Sequence, residues 1–399
     1  MKKIMILGAS ILQLPAIEQA QRMGLGVVVC DMNPNAIGFN VPGVIKEVIS
    51  TIDTEGILEA AKRNQIDGIM TLATDMPMQS VAFVAKELKL IGISKDTALK
   101  ATNKAYMRDA LKNAQVPVPM YFHVHDKEEF IKAVKKVRSA GYKVIVKPAD
   151  NSGSKGIELL NDYSPKSLKS AYEYTKKNSR KGDIMVEEYM EGPEVSVETL
   201  AIDGEIHIIQ ITDKITTNAP YFVEMGHSQP SQLDEKIKRE IVEITIAANK
   251  AIGINDGPSH TEIKVTKDGP KIVELGARLG GDNITTHLVP LSTGVNMVEA
   301  CIKIALGEKP DIEKKWSKGA AIRYFPQHAG IVKKISGVKE AEEIPGIVQV
   351  SIVHNIGEEI SNINNSGSRM GFVIAQKDLP QDAIRACESA LRMVKMEIE

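Results

Sequence analysis

The first hundred residues alternate short apolar runs with longer segments of helical periodicity. The runs Ile4–Leu7 and Ile66–Leu72 have the length of buried strands, whereas Pro15–Met23 and Met78–Leu88 have the pattern of helices. Strands and helices that alternate in this way are typical of a parallel sheet covered on both faces. Residues 1–102 are therefore predicted to form a doubly wound α/β domain.

The rest of the chain mixes amphipathic helices with strands of alternating polarity. From about residue 318 short strands alternate with turns, and Leu379–Met396 is predicted to be a closing helix. The patterns predict an α/β (α+β) protein whose domains are residues 1–102, 103–315 and 316–399. In the middle domain the predicted helices are Lys104–Asn113, Lys127–Arg138, Ser164–Lys177, Asp234–Ile252 and Val295–Leu306, and the predicted strands are Tyr121–Val124, Lys143–Lys147, Ile184–Tyr189, Val195–Ile202 and Glu205–Ile211.

Composition excludes several classes of function. The 399 residues include 50 Lys+Arg and 51 Asp+Glu, so no excess of positive charge predicts a nucleic acid or an anionic membrane as a partner. Three cysteines lie far apart, without metal-ligand spacing, and this sparse, odd number favours a reducing cytoplasm. No apolar run reaches the ~18 residues of a membrane span.

Residues 259–282 carry the most informative motif, an alternating segment that turns at an Asp-Gly pair and is typical of a β-hairpin. A three-residue loop, Lys267–Gly269, would place Glu262 opposite Glu274 on one face. Two like charges at one cross-strand position are destabilising, and a divalent cation between them would reverse that effect. A two-residue loop would instead put the glutamates on opposite faces, as solvated surface acids.

A second motif is the loop Asn151–Gly156, which follows a strand ending in Lys147. Its small residues would let consecutive backbone N–H groups approach an anion. It is not a P-loop, and flexible Gly/Ser turns are common, so the loop alone is a weak signal. Combined with the paired glutamates and Arg278, it indicates a triphosphate site made of lysine, N–H groups, Mg²⁺ and arginine.

Three motifs in order, V-K-P…S-G-S-x-G-I, V-E-E-Y-M-E-G-P-E and H-T-E…V-E-L-G-A-R, resemble those of the ATP-grasp superfamily. This superfamily includes D-alanine–D-alanine ligase, biotin carboxylase, the carbamoyl-phosphate synthetase large chain, phosphoribosylglycinamide synthetase and the L-amino-acid ligases. The resemblance covers about residues 100–310. It implies an ATP-grasp fold, with an N-terminal pre-ATP-grasp domain, an ATP-grasp domain with a mobile lid over about residues 121–188, and a small C-terminal α+β domain.

The resemblance also implies roles for individual residues. Lys104 and Lys147 would hold the α- and β-phosphates, and Glu194 the ribose. Residues 187–190 would form the hinge between the two grasping subdomains, whose backbone would bind the adenine edge. Taken singly, Lys104 and Glu194 are ordinary solvated charges, and only the motif order gives them a role. The implied sites are ATP binding by Lys104, Lys147, Ser152, Gly153, Ser154, Gly156, Glu187, Glu188, Met190 and Glu194, metal binding by Glu262 and Glu274, catalysis by Arg278, and substrate binding by Glu224 and His227.

The sequence departs from the family at one position. Many members have E-x-N-x-R, with the asparagine on the second magnesium, whereas this chain has E-L-G-A-R with Gly276 at that position. The second cation would then lack one side-chain ligand, which Asn283 or water could replace.

The acceptor site is harder to predict. The polar stretch from Asp213 to Pro230 resembles the substrate loop of L-amino-acid ligases. On that basis Glu224 would bind a substrate ammonium and His227 a carboxylate or a developing oxyanion. His227 could equally be a turn histidine bonded to backbone.

His123 and His125 lie on one face of a predicted strand. Such a pair could chelate a metal ion, although two histidines in this setting are more often ordinary surface residues.

The resemblance predicts an ATP-dependent carboxylate–amine ligase that forms an amide through an acyl phosphate and releases ADP, acting on an amino acid. Its cofactors would be ATP and Mg²⁺ (or Mn²⁺), and its partners small-molecule carboxylates and amines. A cytoplasmic protein is expected, and a homodimer is compatible with the family. The alternatives are an activity like phosphoribosylglycinamide synthetase or carbamoyl-phosphate synthetase, or a nucleotide-binding regulator without turnover.

Overall fold

A computed structural model describes residues 1–151, 153, 155–217 and 219–399. The N-terminal elements are β1 (Lys3–Leu7), α1 (Leu14–Arg22), β2 (Gly26–Asp31), β3 (Ile45–Val48), α2 (Thr54–Asn64), β4 (Gly68–Thr71), α3 (Met78–Leu88) and α4 (Lys95–Thr102). The strands form a parallel sheet in the order β3-β2-β1-β4. Ile4 and Ile6 pack in the core that contains α1, and Met5 and Leu7 pack in the core that contains α2 and α3. This is the predicted doubly wound arrangement, because both faces of β1 are apolar.

The segment predicted to be a lid, residues 121–188, is a small sheet with two helices. After α5 (Lys104–Asn113) come β5 (Tyr121–Val124), α6 (Lys127–Ser139), β6 (Val144–Pro148), β7 (Glu158–Leu160), α7 (Pro165–Lys177) and β8 (Ile184–Glu188). The strands form an antiparallel sheet in the order β5-β8-β6-β7. Phe130 of α6 meets Tyr172 of α7 edge to face, with ring centroids 5.4 Å apart, so the lid has a core of its own.

The largest sheet spans the middle and C-terminal thirds of the chain. Its middle elements are β9 (Glu194–Ile202), β10 (Glu205–Thr216), β11 (Glu224–Gln229), α8 (Glu235–Ile252), β12 (Gly257–Thr266), β13 (Gly269–Gly276), α9 (Val289–Thr293) and α10 (Met297–Ala305), with a π-helical turn at Ile284–Leu288. The C-terminal elements are β14 (Gly319–Tyr324), β15 (Gly330–Ser336), α11 (Val338–Glu342), β16 (Ile347–Ile352), β17 (Glu359–Ile360), β18 (Gly371–Lys377), α12 (Pro380–Met393) and β19 (Lys395–Ile398).

Eight strands form this sheet in the order β13-β12-β9-β10-β11-β14-β18-β16, and β17-β15-β19 form a separate three-stranded sheet. The pairing of β11 with β14 joins the predicted ATP-grasp domain to the predicted C-terminal domain, with Gly226 opposite Arg323. The boundary predicted at residue 315 therefore crosses a continuous sheet, and C-terminal residues lie beside the middle of the chain.

In the β12–β13 hairpin, the two glutamates are paired by a combination of loop length and strand bulge that the alternation of residues did not predict. Thr266 is opposite Gly269, so the loop has two residues and the predicted three-residue loop is wrong. A bulge between Glu262 and Ile263 then shifts the register, and Glu262 is opposite Glu274 after all. A two-residue loop without a bulge would place the two glutamates on opposite faces of the hairpin. The extra residue of the bulge returns them to the same face.

Two further predictions are corrected by the structure. The closing helix α12 ends at Met393, and Lys395–Ile398 is a strand rather than its last turns. The stretch from Asp213 to Pro230, predicted to be a loop, largely consists of the end of β10 and the whole of β11. The acceptor residues therefore sit on a sheet, which positions them more rigidly than a loop would.

No single helix in the described part of the chain is long and apolar enough to cross a membrane. The pair Ile284–Thr293 and Met297–Ala305 passes the same length and composition test together, across a bend of 113°.

Candidate active site

A cavity of about 420 Å³ lies where the lid, the large sheet and the N-terminal domain meet. Its lining brings together residues that are far apart in sequence. Among the predicted site residues it includes Lys104, Lys147, Gly153, Glu188, Met190, Glu194, Glu224, His227, Glu262, Glu274 and Arg278. Predicted residues of the nucleotide, metal and acceptor sites therefore share one space.

The predicted metal ligands both face this cavity, and each holds a lysine. The Nζ atom of Lys104 is 2.9 Å from Glu274 Oε1, and that of Lys214 is 2.8 Å from Glu262 Oε1. Lys104 starts α5, where the side chain of Asn103 caps the helix by accepting the N–H groups of two later residues. The two carboxylates thus already bind cationic groups in this structure, which is the chemistry that a metal site requires.

Lys214 was not predicted, and it forms a buried charge cluster with acidic residues. Its Nζ atom is 2.7 Å from Glu194 Oε1 and 3.9 Å from Glu224 Oε1, in addition to its contact with Glu262. Burial alone would lower the pKa of Lys214, but Glu194 and Glu262 outweigh burial and raise its pKa well above the ordinary value. Burial alone would raise the pKa of Glu262, but Lys214 and His260 lower it well below the ordinary value. The cluster is therefore ionised, and each carboxylate is held by an opposite charge.

Lys147 lines the cavity and is paired with the buried side chain of Glu187. Lys147 Nζ is 2.7 Å from Glu187 Oε2, and Arg108 Nε donates to Glu187 Oε1 at 2.7 Å. Burial alone would raise the pKa of Glu187, but Arg108 and Lys147 lower it to about 2. Because Glu187 is fully buried and does not line the cavity, its side chain positions Lys147.

The predicted hinge is only partly available to a ligand. The N–H group of Glu188 donates to the carbonyl of Met120 at 2.8 Å, and its carboxylate binds Lys271 and the Met120 N–H group. Met190 lies just beyond β8, in the cavity wall. Any recognition of adenine by Glu188 would therefore use its carbonyl.

The predicted phosphate loop has a firm anchor at one end. At Gly156 (φ +79°) an added Cβ atom would lie 2.4 Å from Asn178 Cβ and 2.7 Å from Pro148 Cγ, so the position requires glycine. Gly153 lines the cavity. Ser152 and Ser154 lie outside the described residues.

Arg278 makes an ion pair that was not predicted. Its Nε and Nη2 atoms donate to the two carboxylate oxygens of Asp75, at 2.8 and 3.1 Å, and Asp75 comes from the N-terminal domain. A Cβ atom at Gly276 would be 3.0 Å from Asp75 Oδ1 and 3.4 Å from Arg278 Cζ. Gly276, the departure from the family motif, therefore leaves space for the Asp75 carboxylate beside the arginine.

The predicted acceptor side is built by β11 together with three residues of more distant segments. His227 is 1% exposed, and its Nε2 atom is 3.3 Å from Asp282 Oδ2, so it lies in a strand and is not a turn histidine. Arg369 donates to both oxygens of Asp282, at 2.7 and 2.9 Å, and to the carbonyl of Glu224 at 2.9 Å. Ser366 donates to Glu224 Oε2 at 3.0 Å. C-terminal residues thus hold the predicted acceptor carboxylate.

Burial alone would raise the pKa of Asp282, but Arg369 and His227 lower it below the ordinary value. His260 is a further neighbour of the predicted metal ligand Glu262. It lies 2.7 Å from Glu198 Oε1 and 3.5 Å from Glu262 Oε1. Burial alone would lower the pKa of His260, but Glu198 raises it to about 9, so the ring is protonated at neutral pH. His260 and Lys214 thus both contact the Oε1 atom of Glu262.

Sequence reasoning missed Asp75, Lys214, Asp282 and Arg369. Lys214 and Asp282 lie within the two stretches that the sequence analysis identified, residues 213–230 and 259–282, so their position in these stretches was the available signal. Asp75 and Arg369 reach the site from other domains, and no local pattern could indicate them.

The sequence model that describes the ATP-grasp domain matches residues 140–286. The chain therefore contains an ATP-grasp domain. A second model, the L-amino acid ligase C-terminal domain 2, matches residues 323–399. The two matches cover most of the predicted lid, the hairpin with the paired glutamates and most of the C-terminal strands. The predicted resemblance and fold class are confirmed.

The chain is similar to the L-arginine-specific L-amino acid ligase of Bacillus subtilis, with 28% identity over 78% of this chain and 75% of that protein. It is 27% identical to the protein y4rH of Sinorhizobium fredii over 77% of this chain, but that match spans only 63% of y4rH. The solved L-amino acid ligase from Bacillus licheniformis has the same fold, with a TM-score of 0.84 over 100% of this chain and 99% of that one, at 24% identity. The ligase relative agrees with the predicted enzyme class.

Proposed function

We propose that the chain joins a carboxylate to an amine, with one molecule an amino acid, at the expense of ATP. The observation that best supports this proposal is the pairing of Glu262 with Glu274 across the hairpin, with Arg278 in the same cavity. Lys104, at the start of α5, and Lys147, on β6 within the lid, line the same cavity. The arrangement supplies two acids for a metal and three cations for phosphate oxygens.

Magnesium fits the residues that are present. Glu262 and Glu274 are carboxylates at one cross-strand position, and each holds a lysine Nζ atom within 2.9 Å, so both accept a cation. Mg²⁺ prefers such oxygen ligands together with phosphate oxygens and water. When bound, it neutralises charge on the triphosphate. Lys104 would then be released from Glu274 towards the phosphates, and Lys214 would be released from Glu262 and remain paired with Glu194.

The reaction would proceed in two transfers. An oxygen of the substrate carboxylate attacks the γ-phosphorus, the bond to the ADP oxygen breaks, and an acyl phosphate forms. The amine nitrogen then attacks the carbonyl carbon, the bond to phosphate breaks, and the nitrogen loses a proton. Asp75 fixes the Nε and Nη2 atoms of Arg278, and its Nη1 atom donates to the Leu279 carbonyl at the longer distance of 3.3 Å. The Nη1 edge would exchange this longer hydrogen bond for the developing negative charge in both transfers.

The lid would keep water from the acyl phosphate, which water would otherwise hydrolyse. Its glycine-containing loop is attached at Gly156, where a side chain does not fit, and Thr175 donates to the Gly156 carbonyl at 3.1 Å. We propose that residues 121–188 move as a lid over the cavity.

An amino-acid substrate is favoured by the acidic acceptor side. Glu224 lines the cavity, is 23% exposed at its side chain, and is 3.9 Å from the nearest lysine Nζ atom, that of Lys214. A carboxylate so placed can bind a substrate ammonium. His227, beside Asp282, would face the substrate carboxylate or the oxyanion.

Replacement of Glu224 by alanine should raise the Michaelis constant for the amino acid tenfold or more and leave that for ATP nearly unchanged. A charged hydrogen bond contributes about 1.5–3 kcal/mol, and about 1.4 kcal/mol corresponds to one decade. Both constants should be measured on one purified variant, with Glu359→Ala, at an exposed position of β17, as the control. A loss of ATP affinity alone would assign Glu224 to the nucleotide site instead.

The proposed function itself is tested by ADP release. Purified protein with ATP and Mg²⁺ or Mn²⁺ is screened against pairs of amino acids, other amines and bicarbonate, with mass spectrometry of the product. ADP release that depends on two substrates, together with an amide product, supports the ligase. ADP release with bicarbonate or with a phosphoribosyl amine would favour the carbamoyl-phosphate or phosphoribosylglycinamide type of activity.

A regulator without turnover is the remaining alternative. It would bind ATP without producing ADP under any of these conditions. The intact set of Glu262, Glu274 and Arg278 supports an enzyme, because a binding protein has no use for a group that faces the transferred phosphoryl. The substrates are expected to be small molecules, and the three free, buried cysteines are compatible with the predicted cytoplasmic location.

A further inference from the structure

The outer edge of the lid carries three metal-ligating side chains that the proposed ligase reaction does not use. His123 lies on β5 and His125 follows it, so the two side chains project from one face. Asp183 directly precedes β8, and the register that pairs Val124 with Ile184 brings it beside His125. The two imidazole rings are 4.3 Å apart between centroids.

The ligand atoms converge. His125 Nδ1 is 3.0 Å from Asp183 Oδ1, His123 Nε2 is 3.6 Å from Asp183 Oδ2, and one atom from each residue lies within 4.8 Å of the others. A tetrahedral zinc ion with bonds of about 2.0–2.2 Å would hold its ligands roughly 3.4 Å apart. Small side-chain rotations would therefore close the site.

His123 gives the second, independent observation. Its Nε2 atom is buried and makes no hydrogen bond within the described part of the chain, and 3.6 Å to Asp183 is too long for one. A buried ring nitrogen without a partner is costly unless something binds it. A metal ion at the point where the three side chains converge would satisfy this atom and the carboxylate together.

We propose that His123, His125 and Asp183 form a site for a zinc-class transition-metal ion, separate from the oxygen-ligand pair in the cavity. Two imidazoles and one carboxylate suit zinc, cobalt or nickel, whereas Mg²⁺ prefers oxygen ligands. Three protein ligands leave one position for water. The site goes beyond the proposed ligase activity and does not depend on it.

The position of the site would link it to the phosphate loop. The Asp183 carbonyl accepts the N–H group of Ala149 at 3.0 Å, and the Asp150 carboxylate accepts the N–H groups of Arg180 and Lys181, both at 2.9 Å. A metal ion bound at Asp183 would fasten β5 to the segment that anchors the start of this loop. Binding would therefore stabilise the lid.

The test is a titration of the full chain with Co²⁺, after treatment with a chelator and in excess Mg²⁺ to occupy the cavity. One equivalent of Co²⁺ should give visible absorption bands of a low-coordinate site, and Zn²⁺ should displace it. His123→Asn and Asp183→Asn should each weaken binding more than tenfold and abolish the rise in melting temperature that Zn²⁺ produces. His207→Asn, at a histidine of β10 outside the site, should change neither.

Folding of the variants does not limit this test. The His125 side chain is 60% exposed, so His125→Asn removes a ligand without loss of packing even if His123→Asn folds poorly. Binding that survives His125→Asn, or that His207→Asn weakens equally, would overturn the proposed site. Absence of binding by the parent protein would overturn it as well, and none of these results bears on the ligase activity.

Discussion

Glu274→Gln is expected to reduce ADP release to background while the protein stays folded. The amide keeps the shape of the side chain but removes the charge that would hold Mg²⁺ opposite Glu262. A metal ion contributes several kcal/mol to the stabilisation of transferred charge, and each ~1.4 kcal/mol is tenfold in rate, so the loss should be at least on the order of 100-fold. The measurement is ADP release at several Mg²⁺ concentrations, with circular dichroism as a check on folding.

The control for this variant is Glu205→Gln, because Glu205 lies at the exposed start of β10, with its side chain 78% exposed. It makes the same chemical change far from the cavity and should leave activity unaltered. Retention of most activity by Glu274→Gln at moderate Mg²⁺ would show that Glu274 is not a metal ligand. The side chain of Glu274 is 32% exposed and its loss breaks one contact with Lys104, so a stability effect is expected to be small.

Local sequence signals were sufficient to predict an element when neighbouring residues determine where that element begins and ends. The helix Lys104–Asn113 is predicted with its observed bounds, because Asn103 caps it and the prolines that follow residue 116 prevent its continuation. The strand Tyr121–Val124 is also predicted with its observed bounds. These elements require no information from distant parts of the chain.

The sequence failed where distant contacts decide the structure. The strand Glu224–Gln229 reads E-M-G-H-S-Q, and its buried polar residues hide the alternation that marks a strand. These polar side chains are compensated by partners such as Thr212 and Ser292, which bind Gln229. In the hairpin, the bulge after Glu262 changes the register and is invisible to a simple count of positions. The pairing of Glu262 with Glu274 was correct although its predicted loop was not.

Gly276 links the departure from the family motif to a residue that no motif revealed. The Asp75 carboxylate occupies the space next to Gly276 and fixes two nitrogens of Arg278, which is 17% exposed at its side chain. Burial alone would lower the pKa of Arg278, but Asp75 raises it above the ordinary value. The position of the Asp75 carboxylate thus depends on glycine at position 276, because an asparagine there would compete with Asp75 for the same space.

Gly276→Asn is therefore expected to lower the turnover number tenfold or more, with little change in the Michaelis constant for ATP. The new side chain displaces Asp75, and Arg278 loses an ion pair whose charged hydrogen bonds contribute about 1.5–3 kcal/mol. Asp75→Ala should cause a loss of similar size. The double variant Asp75→Ala/Gly276→Asn should be no worse than either single variant, since the asparagine then fills vacated space.

The measurement is a double-mutant cycle on the turnover number, with melting temperatures recorded for all four proteins. Residues that share one space are expected to show a coupling energy of about 0.5–3 kcal/mol, whereas independent sites add within about 0.5 kcal/mol. Asp75→Asn separates shape from charge, because it retains the volume of the carboxylate and weakens its hold on Arg278. Strict additivity of the two losses would show that Asp75 does not position the arginine, and that Gly276 serves only the packing of the strand end.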